Sequence, residues 1–190
     1  MANPPTKTPQ RIVVVGCTGV GKSVLAETIA ARRRLPFVEL DALFWLPDWR
    51  TPDPDDFRAR VRDATSGEGW VVAGNYDTRL GSLVWERAEL VVWLDYGLPR
   101  TMWQLWRRTW RRWRANELLW GTNREILWRH FLTRESLFWY LLRSRPRVRR
   151  RLLDAMTDPG WEHLRFVRLR SPGEMERWLA EGFPALARDP

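Results

Sequence analysis

Short apolar runs alternate along the chain with segments of helical periodicity. Five runs have the composition of buried strands: residues 11–15, 36–40, 70–74, 90–94 and 164–169. Helices are expected from about Lys22 to Arg33, from Asp55 as the capping residue to about Ala64, and from Gly173 to Ala180. Strands that alternate with helices are typical of a parallel sheet covered on both faces. The pattern therefore predicts a three-layer α/β fold around a five-stranded parallel sheet.

The length of 190 residues suits one domain with a substantial core. Residues 1–10 are polar and rich in proline, which predicts a flexible tail. Residues 11–190 are then a single domain. Within it, residues 98–151 lie between the fourth and fifth predicted strands and are expected to be helical over most of their length. We interpret them as a helical insertion without strands of its own.

The net charge of +9 is unevenly distributed. Residues 98–151 contain 15 arginines and only three acidic residues, which gives this segment a net charge of +12. The remainder has 17 basic and 20 acidic residues and is slightly acidic. The charge of the insertion favours a polyanionic partner, which could be a phosphorylated ligand, a nucleic acid or an acidic membrane.

Several classes of site and location are disfavoured by what the sequence lacks. One cysteine, Cys17, excludes an intramolecular disulfide framework and a cysteine-rich zinc site. The two histidines, His130 and His163, do not have metal-ligand spacing. No apolar run approaches the roughly 18 residues of a membrane span, and the N-terminus has no apolar signal segment. A soluble cytoplasmic protein without an integral membrane segment is the expectation.

Residues 16–23, GCTGVGKS, match the complete phosphate-binding loop (P-loop) pattern, with a predicted strand before them and a helix after them. The glycines let backbone N–H groups turn toward phosphate oxygens, and the helix N-terminus adds a partial positive charge. Lys22 is expected to reach the β- and γ-phosphates, and the Ser23 hydroxyl to ligate Mg²⁺. The predicted nucleotide-binding residues are Gly16, Cys17, Thr18, Gly19, Val20, Gly21, Lys22 and Ser23.

A P-loop occurs in kinases, GTPases and ATPase motors. The sequence has no N-K-x-D motif for guanine, and no apolar run ends in an Asp-Glu pair that would supply a motor-type catalytic glutamate. The chain is also short for a helicase or transporter ATPase. These features favour a small phosphotransferase that uses ATP and Mg²⁺ and transfers the γ-phosphate to a small-molecule acceptor, a nucleotide among the candidates.

Acceptor-binding residues are predicted at the ends of strands two and three, because the carboxyl ends of parallel strands form the ligand crevice. Asp41 follows strand two and could orient an acceptor hydroxyl or hold a Mg²⁺-bound water, or it could simply cap a helix. Phe44, Trp45 and Trp49 could wall the pocket or belong to the core. Asn75 and Tyr76, in GNY at 74–76, offer polar contacts unless this segment is a plain turn.

Two further side chains are candidates on the same edge of the sheet. Arg79 could hold a phosphate of the acceptor. Asp95 ends strand four, where it could assist the metal or cap the loop.

The insertion begins with LPRTMWQLWRRTWRRWR at residues 98–114. Four tryptophans, at 103, 106, 110 and 113, form one stripe of a helix, which we expect to pack on a second helix around Ile126 to Leu142. Lid arginines neutralise charge on a transferred phosphoryl group, and Arg107 and Arg111 are the predicted catalytic pair. Any single arginine could instead lie on a solvated face. The insertion has more arginines than one triphosphate needs, and the remaining ones could bind nucleic acid. A few of the tryptophans could stack on a ligand.

The motifs together resemble the bacterial DNA topology modulation protein family, which is similar to adenylate kinase. They are the P-loop, DALFW at 41–45, GNY at 74–76, REILW at 124–128 and RPR at 145–147. The resemblance implies an adenylate-kinase type of sheet, with the P-loop strand central and a helical lid between strands four and five. It also implies phosphate binding by the P-loop and an acceptor role for Asn75 and Tyr76, with Arg79 less securely placed.

One position departs from the adenylate-kinase pattern. An aspartate that supports Mg²⁺ usually precedes the glycine of the GNY segment, and here that position is Ala73. Metal support would then come from Asp41, Asp95 or water. The departure leaves open an alternative in which the chain is an ATP-binding, nucleic-acid-associated regulator with weak or no kinase turnover.

Overall fold

The computed structural model describes residues 8–115, 118–119, 123–124 and 137–183. A five-stranded parallel sheet forms its centre. The strands of this sheet are β1 (Arg11–Gly16), β2 (Phe37–Glu39), β3 (Trp70–Ala73), β4 (Leu90–Leu94) and β7 (Arg165–Leu169). Their order is β2-β3-β1-β4-β7, so the strand that leads into the P-loop is central. The predicted fold class is confirmed, including the position of this strand.

Helices cover both faces of the sheet. They are α1 (Lys22–Arg33), α2 (Leu40–Phe44), α3 (Pro54–Ala64), α4 (Asp77–Leu80), α5 (Leu98–Arg114), α6 (Leu137–Thr157) and α7 (Pro172–Ala180). Short 3-10 turns lie at Pro47–Trp49 and Pro159–Trp161. None of the described helices is long and apolar enough to cross a bilayer.

The core divides into two layers because successive strand residues point to opposite faces. Val13 and Val15 of β1 lie with Phe57 of α3 and Leu152 of α6 on one face. Ile12 and Val14 lie with Leu25 and Ile29 of α1 and Trp178 of α7 on the other. Burial of each such side chain stabilises the fold by about 1.5–3 kcal/mol. The all-apolar sequence of β1 follows from this two-sided burial.

Two element boundaries differ from the sequence prediction. Strand β2 ends at Glu39, and Asp41 lies in the first turn of α2 instead of ending a strand. Helix α3 is capped by Asp53, whose side chain accepts a hydrogen bond from the Asp55 N–H at 2.9 Å. The expected cap at Asp55 is therefore wrong, because Pro54 already takes the first helical position and its fixed φ suits that place.

The insertion, which was expected to be helical over most of its length, also contains a short β-hairpin pairing. Besides α5 and α6 it contains two short strands, β5 (Leu118–Leu119) and β6 (Asn123–Arg124), which pair antiparallel. The REILW motif beyond Arg124, and the part of the expected second helix before Leu137, lie outside the described residues.

The expected packing of the tryptophan stripe on a second helix stays a prediction, because most of that helix lies outside the described residues. The buried residues of α5 are Thr101, Leu105 and Thr109. The four tryptophans of the stripe are each 44–49% exposed. The side of α5 that is buried against the protein is therefore the side with Leu105, and not the side with the four tryptophans.

Candidate functional site

The P-loop connects β1 to α1 and depends on glycine at two close approaches. Gly16 has φ +146°, and a Cβ there would lie 2.6 Å from the Leu94 carbonyl oxygen. Gly19 has φ +80°, and a Cβ would lie 2.8 Å from the Cβ of Leu105 on α5. Both conformations are strained for residues with side chains. The loop is therefore held between the end of β4 and the inner side of α5.

The N-terminus of α1 is open to an anion. Its capping residue is Gly21, with φ +99°, so no side chain at the cap bonds the first N–H groups. The first turn contains no acidic residue. The first N–H groups of a helix lack intrahelical partners and carry a partial positive charge, which suits phosphate oxygens.

Lys22 lies at this helix end in a half-buried position. Its ammonium group donates a hydrogen bond to the Cys17 carbonyl oxygen at 3.0 Å. Burial lowers the pKa of Lys22, because desolvation disfavours the charged form. The negative charge of Asp41 acts in the opposite direction, and the positive charge of Arg108 lowers the pKa further. The charges of Asp41 on α2 and Arg108 on α5 thus both influence the protonation of Lys22.

Glu39 is a site residue that the sequence analysis missed. The Ser23 hydroxyl donates a hydrogen bond to its carboxylate at 2.6 Å. In the sheet Glu39 is the register partner of Ala73, the position where adenylate-kinase-like proteins have an aspartate. The carboxylate next to the P-loop therefore comes from the neighbouring strand. The available signal was an acidic residue at the end of an otherwise apolar strand.

Asp41 and Tyr76 form a second polar pair. The Tyr76 hydroxyl donates a hydrogen bond to Asp41 Oδ1 at 2.6 Å. Burial, with the charge of Asp41 and this hydrogen bond, raises the pKa of Tyr76 well above its usual range. The phenol therefore stays protonated and continues to donate. Its ring lies 4.8 Å from that of Phe44 and 5.2 Å from that of Phe57, which fixes its orientation.

Other predicted acceptor residues surround this pair. The Arg79 guanidinium lies over the Phe44 ring at 4.8 Å, and its side chain is exposed. Phe44 is buried in the core, whereas Trp45 and Trp49 are half-buried with ring centres 5.4 Å apart. Trp45 also lies edge-to-face on Phe44, with ring centres 5.0 Å apart, so the three aromatic residues form one row from the core to the surface.

Asn75 contacts the P-loop directly. Its Oδ1 accepts a hydrogen bond from the Gly16 N–H at 3.1 Å, and its Nδ2 donates to the Gly16 carbonyl at 2.5 Å. Both polar atoms of the amide are engaged with one backbone unit. The predicted acceptor contact of Asn75 is not tested by these bonds, which show a role in holding the loop.

The arginines of α5 fall on two sides of the helix. Arg107 and Arg111, the predicted catalytic pair, are exposed, and the Arg107 guanidinium lies over the Trp103 ring at 5.3 Å. Arg108 and Arg112 are half-buried and follow Leu105 at helical spacing. Since Leu105 contacts Gly19, this is the side of α5 that meets the P-loop. The sequence gives no signal that separates the two pairs, because the burial of Leu105 is known only from the structure.

Asp95 lies at the end of β4 among three arginines. Its carboxylate is 2.5 Å from Arg168, 3.3 Å from Arg149 and 4.0 Å from Arg145. Arg145 also donates to the Tyr96 carbonyl at 3.3 Å. This cluster fastens α6 to β4 and β7. The residues that the structure describes contain no group of three or more histidine, cysteine or acidic side chains that could hold a metal without a ligand's help.

Comparisons with known proteins bear on the fold. No protein-family model matches the sequence, and a search of curated proteins returned no match. A shikimate kinase from Bacteroides thetaiotaomicron has a similar structure, with a TM-score of 0.52 and 14% identity over 92% of this chain and 96% of that one. A gluconokinase from Sinorhizobium meliloti 1021 aligns at 21% identity over 92% and 95% of the two chains, with a TM-score of 0.47. At 14% identity, the likeness to the shikimate kinase establishes a shared fold.

Proposed function

We propose that this chain is a phosphotransferase that moves the γ-phosphate of Mg-ATP to the hydroxyl of a small-molecule acceptor. The observation that carries the proposal is the placement of Asp41. Its carboxylate is held by Tyr76 and acts electrostatically on Lys22 of the P-loop. A fixed carboxylate beside a phosphate-binding lysine suits the activation of an acceptor hydroxyl.

The P-loop fits a nucleoside triphosphate. The N-terminus of α1 has no capping side chain and no acidic residue in its first turn, and Lys22 is a cation beside it. Gly21 has open space where a Cβ would be, with no atom within 4 Å. Lys22 and the N–H groups at this end of α1 would hold the phosphates, and Lys22 would exchange the Cys17 carbonyl for a phosphate oxygen.

The pair of Ser23 and Glu39 fits Mg²⁺. A hydroxyl and a carboxylate are oxygen ligands of the kind this ion prefers, and Mg²⁺ commonly takes only one or two protein ligands beside phosphates and water. Ser23 would provide a direct ligand, and Glu39 would bind the ion or its water. Glu39 thereby supplies the acidic group that Ala73 lacks.

The acceptor step depends on Asp41. Bound Mg-ATP supplies an electrophilic phosphorus and a leaving group whose charge the metal neutralises. Asp41 orients the acceptor hydroxyl and accepts its proton as the oxygen attacks. Tyr76 fixes the carboxylate through its hydrogen bond and does not itself give up a proton. Arg79 and the half-buried Trp45 and Trp49 border this region and would contact the remainder of the acceptor.

Positive charge from the insertion would complete the site. Arg108 acts on Lys22 and lies on the inner side of α5, so it is the arginine we assign to charge developing on the transferred group. Arg112 follows one turn later on the same side. In this proposal residues 11–190 are one catalytic domain, and residues 98–151 are its lid.

A screen of acceptors with the purified full chain tests the proposal. Nucleoside monophosphates, nucleosides, sugars and small hydroxy acids are each supplied with Mg-ATP, and formation of ADP is measured. We expect ADP only with a suitable acceptor, and its loss in Lys22→Ala. Lys7→Ala is the matched control, because Lys7 is the only other lysine in the sequence.

Two results would overturn the proposal. An unchanged rate in Lys22→Ala would show that the P-loop does not take part. Binding of ATP that requires Lys22, without turnover of any acceptor, would support a nucleotide-binding regulator instead.

A further inference from the structure

One side of α5 exposes a row of tryptophans at the protein surface. Trp103, Trp106, Trp110 and Trp113 follow one another at spacings of three and four residues and therefore lie along one line, roughly 15 Å long. Each indole is 44–49% exposed. We call these four residues the tryptophan face. Exposed apolar surface of this extent marks a site of interaction.

The orientation of α5 is fixed by its buried side, which contains Leu105. Leu105 is fully buried with Cys17 of the P-loop and Leu141 of α6. Thr101 and Thr109, one turn before and after Leu105, are buried as well. Because this side anchors the helix, the tryptophan face cannot turn inward without breaking the contact with the P-loop.

A line of arginines runs beside the tryptophan face. Its exposed members are Arg100, Arg107, Arg111 and Arg114. Helix α6 adds the exposed Trp139 and Tyr140, with the guanidinium of Arg143 over the Trp139 ring at 5.4 Å. Five exposed arginines thus lie on or beside this surface, and residues 98–114 and 137–153 include no acidic residue. The occupant of this surface is therefore anionic as well as apolar, which disfavours a second copy of the same charged surface.

The packing of the indoles favours lipid over bases. The rings of Trp106 and Trp110 are stacked, with centres 6.1 Å apart and planes 20° from parallel. Trp110 and Trp113 are 5.3 Å apart. A base is bound by stacking on a free face of an aromatic ring. The rings cover one another's faces, whereas insertion at a lipid interface requires only that one side of the row is exposed.

We propose that the tryptophan face, with the arginine line beside it, docks the protein on an anionic phospholipid surface. Helix α5 would lie in the plane of the interface, with the indoles at the boundary of headgroups and acyl chains and the arginines on lipid phosphates. The proposal does not rest on the phosphotransferase function.

Vesicle sedimentation of the full chain tests this docking. We expect binding to vesicles of equimolar phosphatidylcholine and phosphatidylserine, weak binding to phosphatidylcholine alone, and a decrease as salt is added. Arg111→Gln with Arg114→Gln should weaken binding roughly fivefold for each arginine removed. Arg60→Gln with Arg62→Gln is the matched control, since both side chains are exposed on α3 and the charge change is equal. Equal losses in the two pairs would overturn the proposed surface.

Two further measurements address the tryptophans. Trp106→Ser with Trp110→Ser should abolish binding to the anionic vesicles, with circular dichroism as the check on folding. In the unaltered chain, phosphatidylcholine brominated on its acyl chains should quench tryptophan fluorescence when phosphatidylserine is present. Absence of this quenching would overturn the proposal whether or not the variant folds.

Other occupants give distinct results. Binding of oligothymidylate or oligouridylate that is lost in the same variants, without vesicle binding, would identify a nucleic-acid surface and overturn the proposal. A dimer in light scattering that Trp106→Ser with Trp110→Ser dissociates, again without vesicle binding, would identify a self-association surface and overturn it equally.

Discussion

The side-chain amide of Asn75 is bonded at both ends to the backbone of Gly16. The Gly16 N–H donates to Oδ1 at 3.1 Å, and Nδ2 donates to the Gly16 carbonyl at 2.5 Å. The neighbouring Tyr76 holds Asp41 through its hydroxyl. Two adjacent residues after β3 thus support the proposed site. Asn75 holds the P-loop, and Tyr76 holds Asp41, the carboxylate proposed to bind the acceptor.

Replacement of Asn75 should loosen the P-loop. Asn75→Ala removes two hydrogen bonds and is expected to lower the free energy of unfolding by about 1–3 kcal/mol, measured by urea denaturation. It should also weaken the binding of a fluorescent ATP analogue. Asn75→Asp is the sharper variant, because it places a carboxylate oxygen against the Gly16 carbonyl. If Asn75→Asp were as stable as the unaltered chain, the bond from Nδ2 would have no role.

Lys22 is expected to reduce the stability of the protein in the absence of nucleotide. Burial lowers its pKa in the folded state, so the unfolded state binds more protons and stability rises with pH through this titration. Lys22→Met retains much of the volume without the charge. It should have a higher Tm than the unaltered chain at neutral pH, and the difference should shrink as the pH rises. A lower Tm for Lys22→Met across this range would contradict the expectation.

Arg108 and Arg107 provide a matched pair on one helix. The sequence favoured Arg107, with Arg111, as catalytic, whereas Arg108 is the arginine whose charge lowers the pKa of Lys22 and Arg107 is exposed over Trp103. Arg108→Gln should therefore reduce kcat by about a hundredfold or more, since arginines that stabilise a transferring phosphoryl group have large effects. Arg107→Gln should change kcat much less. The reverse order of the two effects would favour the original assignment.

Tyr76 should contribute to the decrease in the free energy of unfolding at alkaline pH. Its folded-state pKa is raised above the unfolded value of 10.0, so its contribution is present below pH 10.0 and is lost as the pH rises further. Tyr76→Phe should show a shallower loss of unfolding free energy above pH 10.0 in urea titrations. A residual slope is expected from Tyr96, whose pKa burial raises to about 12. An unchanged slope would show that Tyr76 does not titrate on unfolding.

Glu39 should determine the requirement for Mg²⁺. Glu39→Gln removes the negative charge beside Ser23 and is expected to weaken the apparent Mg²⁺ affinity roughly tenfold, in the range found when groups that support a metal ligand are replaced. The measurement is ADP formation as a function of Mg²⁺ concentration. In a double-mutant cycle with Ser23→Ala the two effects should not add, because the residues share a hydrogen bond. Additive effects would argue against a joint metal site.

The positions of most fold elements follow from local sequence. β1 is a run of apolar residues because both of its faces are buried, and the glycine spacing at residues 16–21 identifies the P-loop without any distant contact. The strand order with β1 central also agrees with the prediction. Helical periodicity groups the four tryptophans on one side of α5, but it shows only which residues share a side and not whether that side meets the core. On α5 the buried side is the one with Leu105.

The sequence alone determined the class of fold and the position of the P-loop, where we propose that phosphate binds, because strand composition, helical spacing and the P-loop glycines act within a few consecutive residues. Tertiary structure decided the partners of that loop. Ser23 meets Glu39 across 16 positions, Tyr76 meets Asp41 across 35, and Asn75 meets Gly16 across 59. These contacts depend on the order and register of parallel strands and on which side of α5 packs inward. Such relationships are set by the burial of the whole core, and no short segment of the chain contains them.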